Sequence, residues 1–476
     1  MRPRSGLAVL IAAVACLLSQ PAHATAELTG ASMGWPWALP FIGILLSIAT
    51  GPLLFAQIWH RHYGKIAAMW VMLTIAPIAL VYGVPAALGA VIHAILADYL
   101  SFIVLLFTLY TVAGGILVSG TLRNTPLMNT AVLGLGTLMA SIVGTTGAAM
   151  ILVRPLIRAN AGRTHNAHGV VFFIILVCNV GGALTPLGDP PLFAGFLRGV
   201  DFFWPAQNLW MQTGLVAVLL LATFLALDFW HHRNDVPAPE KSPTIPIRLH
   251  GVINIVLIGL VVVSILISAA WKPGVSFDIY GTKLELQNLV RDASLVVIAA
   301  LSLWLTPETH REANDFTWEP IREVAKLFAG IFIAIIPVLA MLHAGRSGAF
   351  SWLLSVVSEQ DGSPHEVAYF WLTGLLSAFL DNVPTYLVFF ELAGGNAQEL
   401  TNPLAGTLAS ISMGTVYMGA LTYIGNAPNF MVYAIAKERG IKMPNFFSYM
   451  LWASLVLVPL FTLLTLLPIA PILKSI

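Results

Sequence analysis

Charge is what this sequence has least of. Asp, Glu, Lys and Arg together make up 9% of the 476 residues, while 58% are hydrophobic. Soluble chains carry about 25% charged residues, so a water-soluble globular domain is excluded. No Lys/Arg tract is present, which removes nucleic acid from the partners. Cysteine is nearly absent too. Cys16 and Cys178 are too few for a disulfide framework. What fills the chain is long apolar stretches, at 41–58, 66–84, 102–120, 207–227, 251–270 and 446–469. Each is near the ~20 residues that cross a hydrocarbon core. The sequence predicts an all-α polytopic membrane protein, embedded in lipid.

The first residues read MRPRSGLAVLIAAVACLLSQPAHATA. Arg2 and Arg4 precede a short apolar core at 6–18, and Ala22-His23-Ala24 matches an A-x-A cleavage site. This is the pattern of a secretory signal peptide, 1–24, cut after Ala24. The other reading, a first transmembrane helix, needs a longer apolar run. Cleavage places the mature N-terminus outside the cytoplasm and the protein in a bacterial inner membrane.

The few charges are unevenly placed. Threading the spans from an external Thr25 puts fifteen Lys and Arg residues on the cytoplasmic side. Among them are Arg61, Lys65, Arg123, Arg154, Arg158 and Arg163. Six lie outside: Arg198, Lys272, Lys283, Arg291, Arg346 and Lys474. That bias obeys the positive-inside rule, and the flipped topology violates it. The C-terminus is expected to be periplasmic. A polar, Pro-rich stretch at 233–250 reads as a cytoplasmic linker near the middle of the chain.

Two stretches on either side of that linker repeat. GALTPLGDPPLF (182–193) and GALTYIGNAPNF (419–430) agree at seven of twelve positions, half a chain apart. The same offset carries LGTLMASIVGTTGAAM (135–150) onto LTGLLSAFLDNVPTYL (372–387), each an apolar arm, a polar tip and a second arm. The expected halves are therefore 25–232 and 251–476. Each has three spans, a re-entrant hairpin (about 127–160 and 366–395), a broken helix (about 168–200 and 404–436) and a final span. Five crossings per half is an odd number, so the second repeat is expected to be inverted relative to the first. Proline removes a backbone donor and stops the helical ladder. Such backbone is tolerated at membrane depth only where it lines a cavity. Inverted repeats with interrupted helices place binding sites at the midplane of secondary transporters.

Two candidate centres follow. One joins Thr145 and Thr146 on the first tip to Thr185, Gly188 and Asp189 in the first break. The other joins Asp381, Asn382 and Thr385 on the second tip to Thr422, Gly425 and Asn426. Carboxylate, hydroxyl, amide and carbonyl oxygens suit a hard cation such as Na⁺. Neither centre has the His/Cys cluster of a transition-metal site. Intramembrane carboxylates are costly and usually functional. Na⁺ and a proton would compete for the same oxygens of Asp189 and Asp381. The alternative for either Asp is a cap on the helix that follows it. Asn179 reads as support for the first break or as a helix–helix hydrogen bond. Arg154 and Glu391, equivalent under the offset, read as snorkelling or paired charges at the hairpin bases. Asp98 and His93 read as interfacial.

NVGGALTPLGDPP, FLDNVPT and YIGNAPNF resemble motifs of the ion transporter superfamily, over about 36–470. That group contains sodium/proton antiporters and citrate-transporter-like proteins. The resemblance implies a homodimer with a scaffold region and a mobile transport region. It implies Na⁺ sites at Thr145 and Thr146 with Gly188, and at Asp381, Asn382 and Thr385 with Gly425. The tips depart from the Ser-Asn-Thr pattern of the dicarboxylate symporters. The first is Gly-Thr-Thr-Gly, and the second begins Asp-Asn. Na⁺/H⁺ antiport is the expected activity, with Na⁺ and H⁺ the transported ions and no cofactor. Cation-coupled transport of citrate or another dicarboxylate is the alternative. No Arg or Lys stands at either centre to favour it. An intramembrane aspartyl protease is disfavoured, because Pro186 stands two before Gly188 and the repeat accounts for both Asp positions. The chain is not expected to be an enzyme.

Overall fold

The computed structural model describes residues 28–235 and 246–466. The expected signal peptide, the middle of the linker and the chain's C-terminal end lie outside the described residues. The protein is an all-α polytopic membrane protein. Among the described residues, nine helices are long and apolar enough to cross a membrane.

The first half contains α1 (Trp35–Leu54), α2 (Ala56–Tyr82) and α3 (Val84–Ala113). Two arms follow, α4 (Pro126–Val143) and α5 (Thr145–Ala159), then α6 (Ala167–Leu176), α7 (Pro190–Leu197) and α8 (Trp204–Asn234). The second half has the same order. Its spans are α9 (Ile253–Ala270), α10 (Leu286–Leu305) and α11 (Glu319–His343). Its arms are α12 (Glu366–Phe379) and α13 (Asn382–Leu392), followed by α14 (Ala405–Met418), α15 (Ala427–Glu438) and α16 (Phe446–Leu466). Helices α5 and α13 begin at equivalent positions of the repeat, Thr145 and Asn382, and α7 and α15 do so at Pro190 and Ala427.

Local chemistry sets these boundaries. Thr125 Oγ1 accepts from Met128 N at 3.3 Å to start α4, with Pro126 at the first helical position. Gly144, at φ +82°, ends it, and α5 starts on the next residue. At 1.5 Å per residue, α12 and α13 reach only about 21 and 17 Å, short of the ~30 Å core. Between α6 and α7 the chain makes one 3₁₀ turn, Val180–Gly182, and runs on to Asp189 before Pro190-Pro191 restart the helix.

Burial separates two kinds of helix. The hairpins and broken helices are interior: every side chain of α14 is buried, as is Val170–Leu176 of α6. The long spans α1 to α3 and α9 keep most of their residues unburied, and those faces are apolar. In water such patches are a liability; in hydrocarbon they are solvated. Small antiparallel ladders lie in the connections. β1 (Leu117–Ser119) pairs with β2 (Arg248–His250). β3 (Ser276–Ile279) pairs with β4 (Thr282–Glu285) around Tyr280-Gly281, both at positive φ.

The base of the first hairpin is fastened to α8. Arg163 Nη1 lies 2.5 Å from Asp228 Oδ1 and its Nε 2.9 Å from Asp235 Oδ2. Burial opposes ionisation of Asp235, yet the hydrogen bonds and charge of Arg163 hold its carboxyl below its ordinary range.

Candidate transport site

Both breaks are stitched to their hairpins by the same bonds. Thr185 Oγ1 donates to Ser141 O, and its equivalent in the second half, Thr422 Oγ1, donates to Ala378 O. Each hydroxyl then accepts from the backbone two residues later: Leu187 N at 3.2 Å and Ile424 N at 3.3 Å. In the first half the tip also touches the break, where Thr145 N donates to Gly188 O at 2.9 Å. A Cβ on Gly188 would strike the Gly182 carbonyl, and one on Gly425 the Gly419 carbonyl. Glycine at both places is a packing requirement.

These tips and breaks border one narrow cleft with a cavity volume of about 80 Å³. Thr145, Thr146, Gly188, Asp189, Asp381, Asn382 and Asn426 line it. Four of the eleven expected residues, Thr185, Thr385, Thr422 and Gly425, are not in its lining. Their groups serve the backbone instead. The threonine hydroxyls at 185 and 422 each give their one proton to a hairpin carbonyl. Thr385 Oγ1 donates to Asp381 O at 3.1 Å, back-bonding along its own helix.

The two carboxylates, each expected as a cation ligand or a cap, differ in what they do. Asp381 is a cap: its Oδ1 accepts from Val383 N at 3.0 Å. Asp189, although it precedes α7, makes no capping bond. Its Oδ2 accepts from Asn382 Nδ2 at 3.0 Å, so the first break is joined to the second tip. Its Oδ1 is buried without a partner, and the residue is 1% exposed. An orphaned buried acceptor costs about 1–3 kcal/mol, more when charged. The two centres read from the sequence thus form one site. Asn382 is fixed in turn by Ser377 Oγ, 2.6 Å from its Oδ1.

An asparagine chain runs behind the cleft. Asn426 Nδ2 donates to Asn179 Oδ1 at 3.0 Å, and Asn179 Nδ2 donates to Asn429 Oδ1 at 2.8 Å. Asn179 is therefore a bond between the two halves. Asn426 also caps α15 through Asn429 N at 3.0 Å. Asn429 escaped the sequence reading, although an Asn three residues after a helix-starting Asn was the available signal.

The field in the cleft comes from two sources. Among the residues lining it, Asp189 and Asp381 are the charged ones; no Lys, Arg or His joins them. The first residues of α5, α7, α13 and α15 also line it: Thr145, Pro190, Asn382 and Ala427. Helix N-termini carry partial positive charge and favour anions. Four such ends support the two aspartates, or an anion in their place when a cation occupies the carboxylates.

The model of a family described as "Putative citrate transport" matches residues 30–469. The chain belongs to that family. It is a transporter family, and the match takes in both hairpins and both breaks. No curated protein matches the sequence.

Proposed function

We propose that this family member is a secondary active transporter in which Na⁺ and a proton compete for Asp189 and Asp381, so that inward movement of one is exchanged for outward movement of the other. The observation that carries this reading is the Asp189 carboxylate: buried, held by one hydrogen bond, with Oδ1 unpartnered beside a cleft whose lining holds no basic side chain. A dehydrated Na⁺ or a proton satisfies that oxygen. Oxygens of Thr145, Thr146, Gly188 and Asp381 would complete a hard-cation set, and Asn382, whose Oδ1 is taken by Ser377, would join it only by turning its amide. We place the protein in a bacterial inner membrane as inverted repeats with periplasmic ends, as the charge bias indicates. The homodimer is proposed from the superfamily resemblance.

A second reading is favoured by two observations: the family's description and the four helix N-termini at the cleft. On it, the cation at Asp189 couples uptake of citrate or a related carboxylate, which the helix ends receive.

Everted vesicles loaded with a pH-sensitive dye separate the two. NaCl is added first, then citrate, with Asp381→Asn vesicles alongside. Proton movement on Na⁺ alone, lost in the variant, is the expected result. A response that waits for citrate moves the assignment to coupled carboxylate transport. Full exchange in Asp381→Asn would sink the site.

A further inference from the structure

The cleft is open to one end of the molecule and shut at the other. Towards the first end a cleft of about 710 Å³ is lined by Arg154, Asp315 and Arg439 and reaches Asp381 and Asn426. At the other end a separate cleft of about 530 Å³, lined by Asp98, Arg198, His343 and Glu391, shares no lining residue with the transport site. Aromatic rings close the way between them. Phe102 stacks on Phe328 at 4.9 Å and meets Phe332 edge-on at 5.5 Å, all three buried.

Two sets of elements meet along this path. The hairpins and broken helices pack on one another, α12 on α14, α7 on α13 and α6 on α15. The spans α1 to α3 and α9 to α11 pack on one another, α2 on α11 and α3 on α10, and touch the first set where α11 meets α13 and α3 meets α5. Among the described residues, ion pairs between the two sets occur at both ends of the path. At the open end, Asp315 of the span set meets Arg154 at 3.1 Å and Arg439 at 2.7 Å. Asp315 and Arg439 are at least half exposed, so their pair contributes little, about 0–1 kcal/mol, while Arg154 is itself sheltered at 10% exposure.

At the closed end the charges are sheltered. Arg198, just beyond α7, lies 3.4 Å from Asp98 of α3 and 3.4 Å from Glu391 of α13. Side-chain exposures there are 15%, 20% and 7%. His343, at the end of α11, adds a contact to Glu391 at 3.0 Å. Removing one member of a sheltered cluster leaves another charge uncompensated, which costs far more than an exposed pair. A transporter needs each face to open in turn, and this cluster bridges the two sets on the face that is closed.

We propose that Arg198, clamped between Asp98 and Glu391, is the latch of a gate on this face. While it is fastened, the site opens only to the Arg154 end. Its release lets the two sets part and admits solvent past Phe102.

A cysteine at Val143, which lines the transport cleft, reports the gate without reference to what is carried. Its failure therefore leaves the proposed function standing. Val143→Cys vesicles receive a membrane-impermeant maleimide from the Arg198 side. The parent, whose Cys178 is fully buried, is the blank. Adding Arg198→Gln is expected to speed labelling on the order of tenfold, the factor that ~1.4 kcal/mol produces in a two-state balance. If Arg198→Gln does not fold, Asp98→Asn decides, since it keeps the Arg198–Glu391 pair and loses only the link to α3. Labelling at the Val143→Cys rate in every folded variant would overturn the latch.

Discussion

Asp189 and Asp381 differ in what their oxygens already do, and the difference is measurable. Asp189 holds an unpartnered buried oxygen, so Asp189→Asn removes an uncompensated charge. In Na⁺-free buffer this variant should be more stable than the parent by about 1 kcal/mol or more. The parent should gain stability on adding NaCl but not choline chloride, about 2.7 kcal/mol at a hundredfold excess over Kd. Asp189→Asn should gain none. A variant that melts earlier without Na⁺ and still responds to it would refute the cation assignment. Asp381→Asn tells a different story. Its amide oxygen still accepts from Val383 N, so stability should change by less than about 0.5 kcal/mol while exchange is lost. Competition also fixes a sign with pH. If a proton and Na⁺ share the carboxylate, apparent Na⁺ affinity should fall as the medium is acidified, by up to about tenfold per pH unit for one competing proton. Affinity that is flat with pH would remove the proton from the cycle.

The breaks test whether the repeat is physical and not only a pattern of letters. Gly188 and Gly425 face equivalent carbonyls, so Gly188→Ala and Gly425→Ala should each cost at least about 2 kcal/mol. Gly259 lies within α9 with nothing near its missing Cβ. Gly259→Ala should be neutral or stabilising by about 0.5–1 kcal/mol. Equal melting of all three variants would show that the breaks are loose loops. These elements were legible in the sequence because each must announce itself. The chain breaks in Gly- and Pro-rich runs, three of the four helices restart after Asp189, Asp381 or Asn426, and the second half breaks again at the same offset. The β3–β4 hairpin was missed because its Ser276–Glu285 segment is short and lies between two apolar spans. The use of Thr185 was missed for another reason: sequence shows a hydroxyl in a break but not the carbonyl waiting for it. The Asp189–Asn382 bond joins residues 193 apart. Nothing local encodes it, which is why one site was read as two.

The arrangement of the halves decides whether alternating exposure is built into the molecule. If the second repeat is inverted, the loop after α5 and the loop after α13 occupy opposite faces of the membrane. The charge bias puts the first, with Arg158 and Arg163, inside and the second outside. Ala161 and Asn396 are exposed in these loops. Ala161→Cys should react with an impermeant thiol reagent in everted vesicles, and Asn396→Cys in right-side-out ones. Reaction of both from one face would mean parallel repeats. The two hairpins would then enter from the same side, and Asp189 and Asp381 could not approach one cleft as the ends of opposed half-helices. With the labelling as expected, the bond from Asn382 to Asp189 becomes a contact between oppositely directed repeats. An ion bound at that contact would be held by both halves, so the path it leaves by would depend on which charged cluster is released.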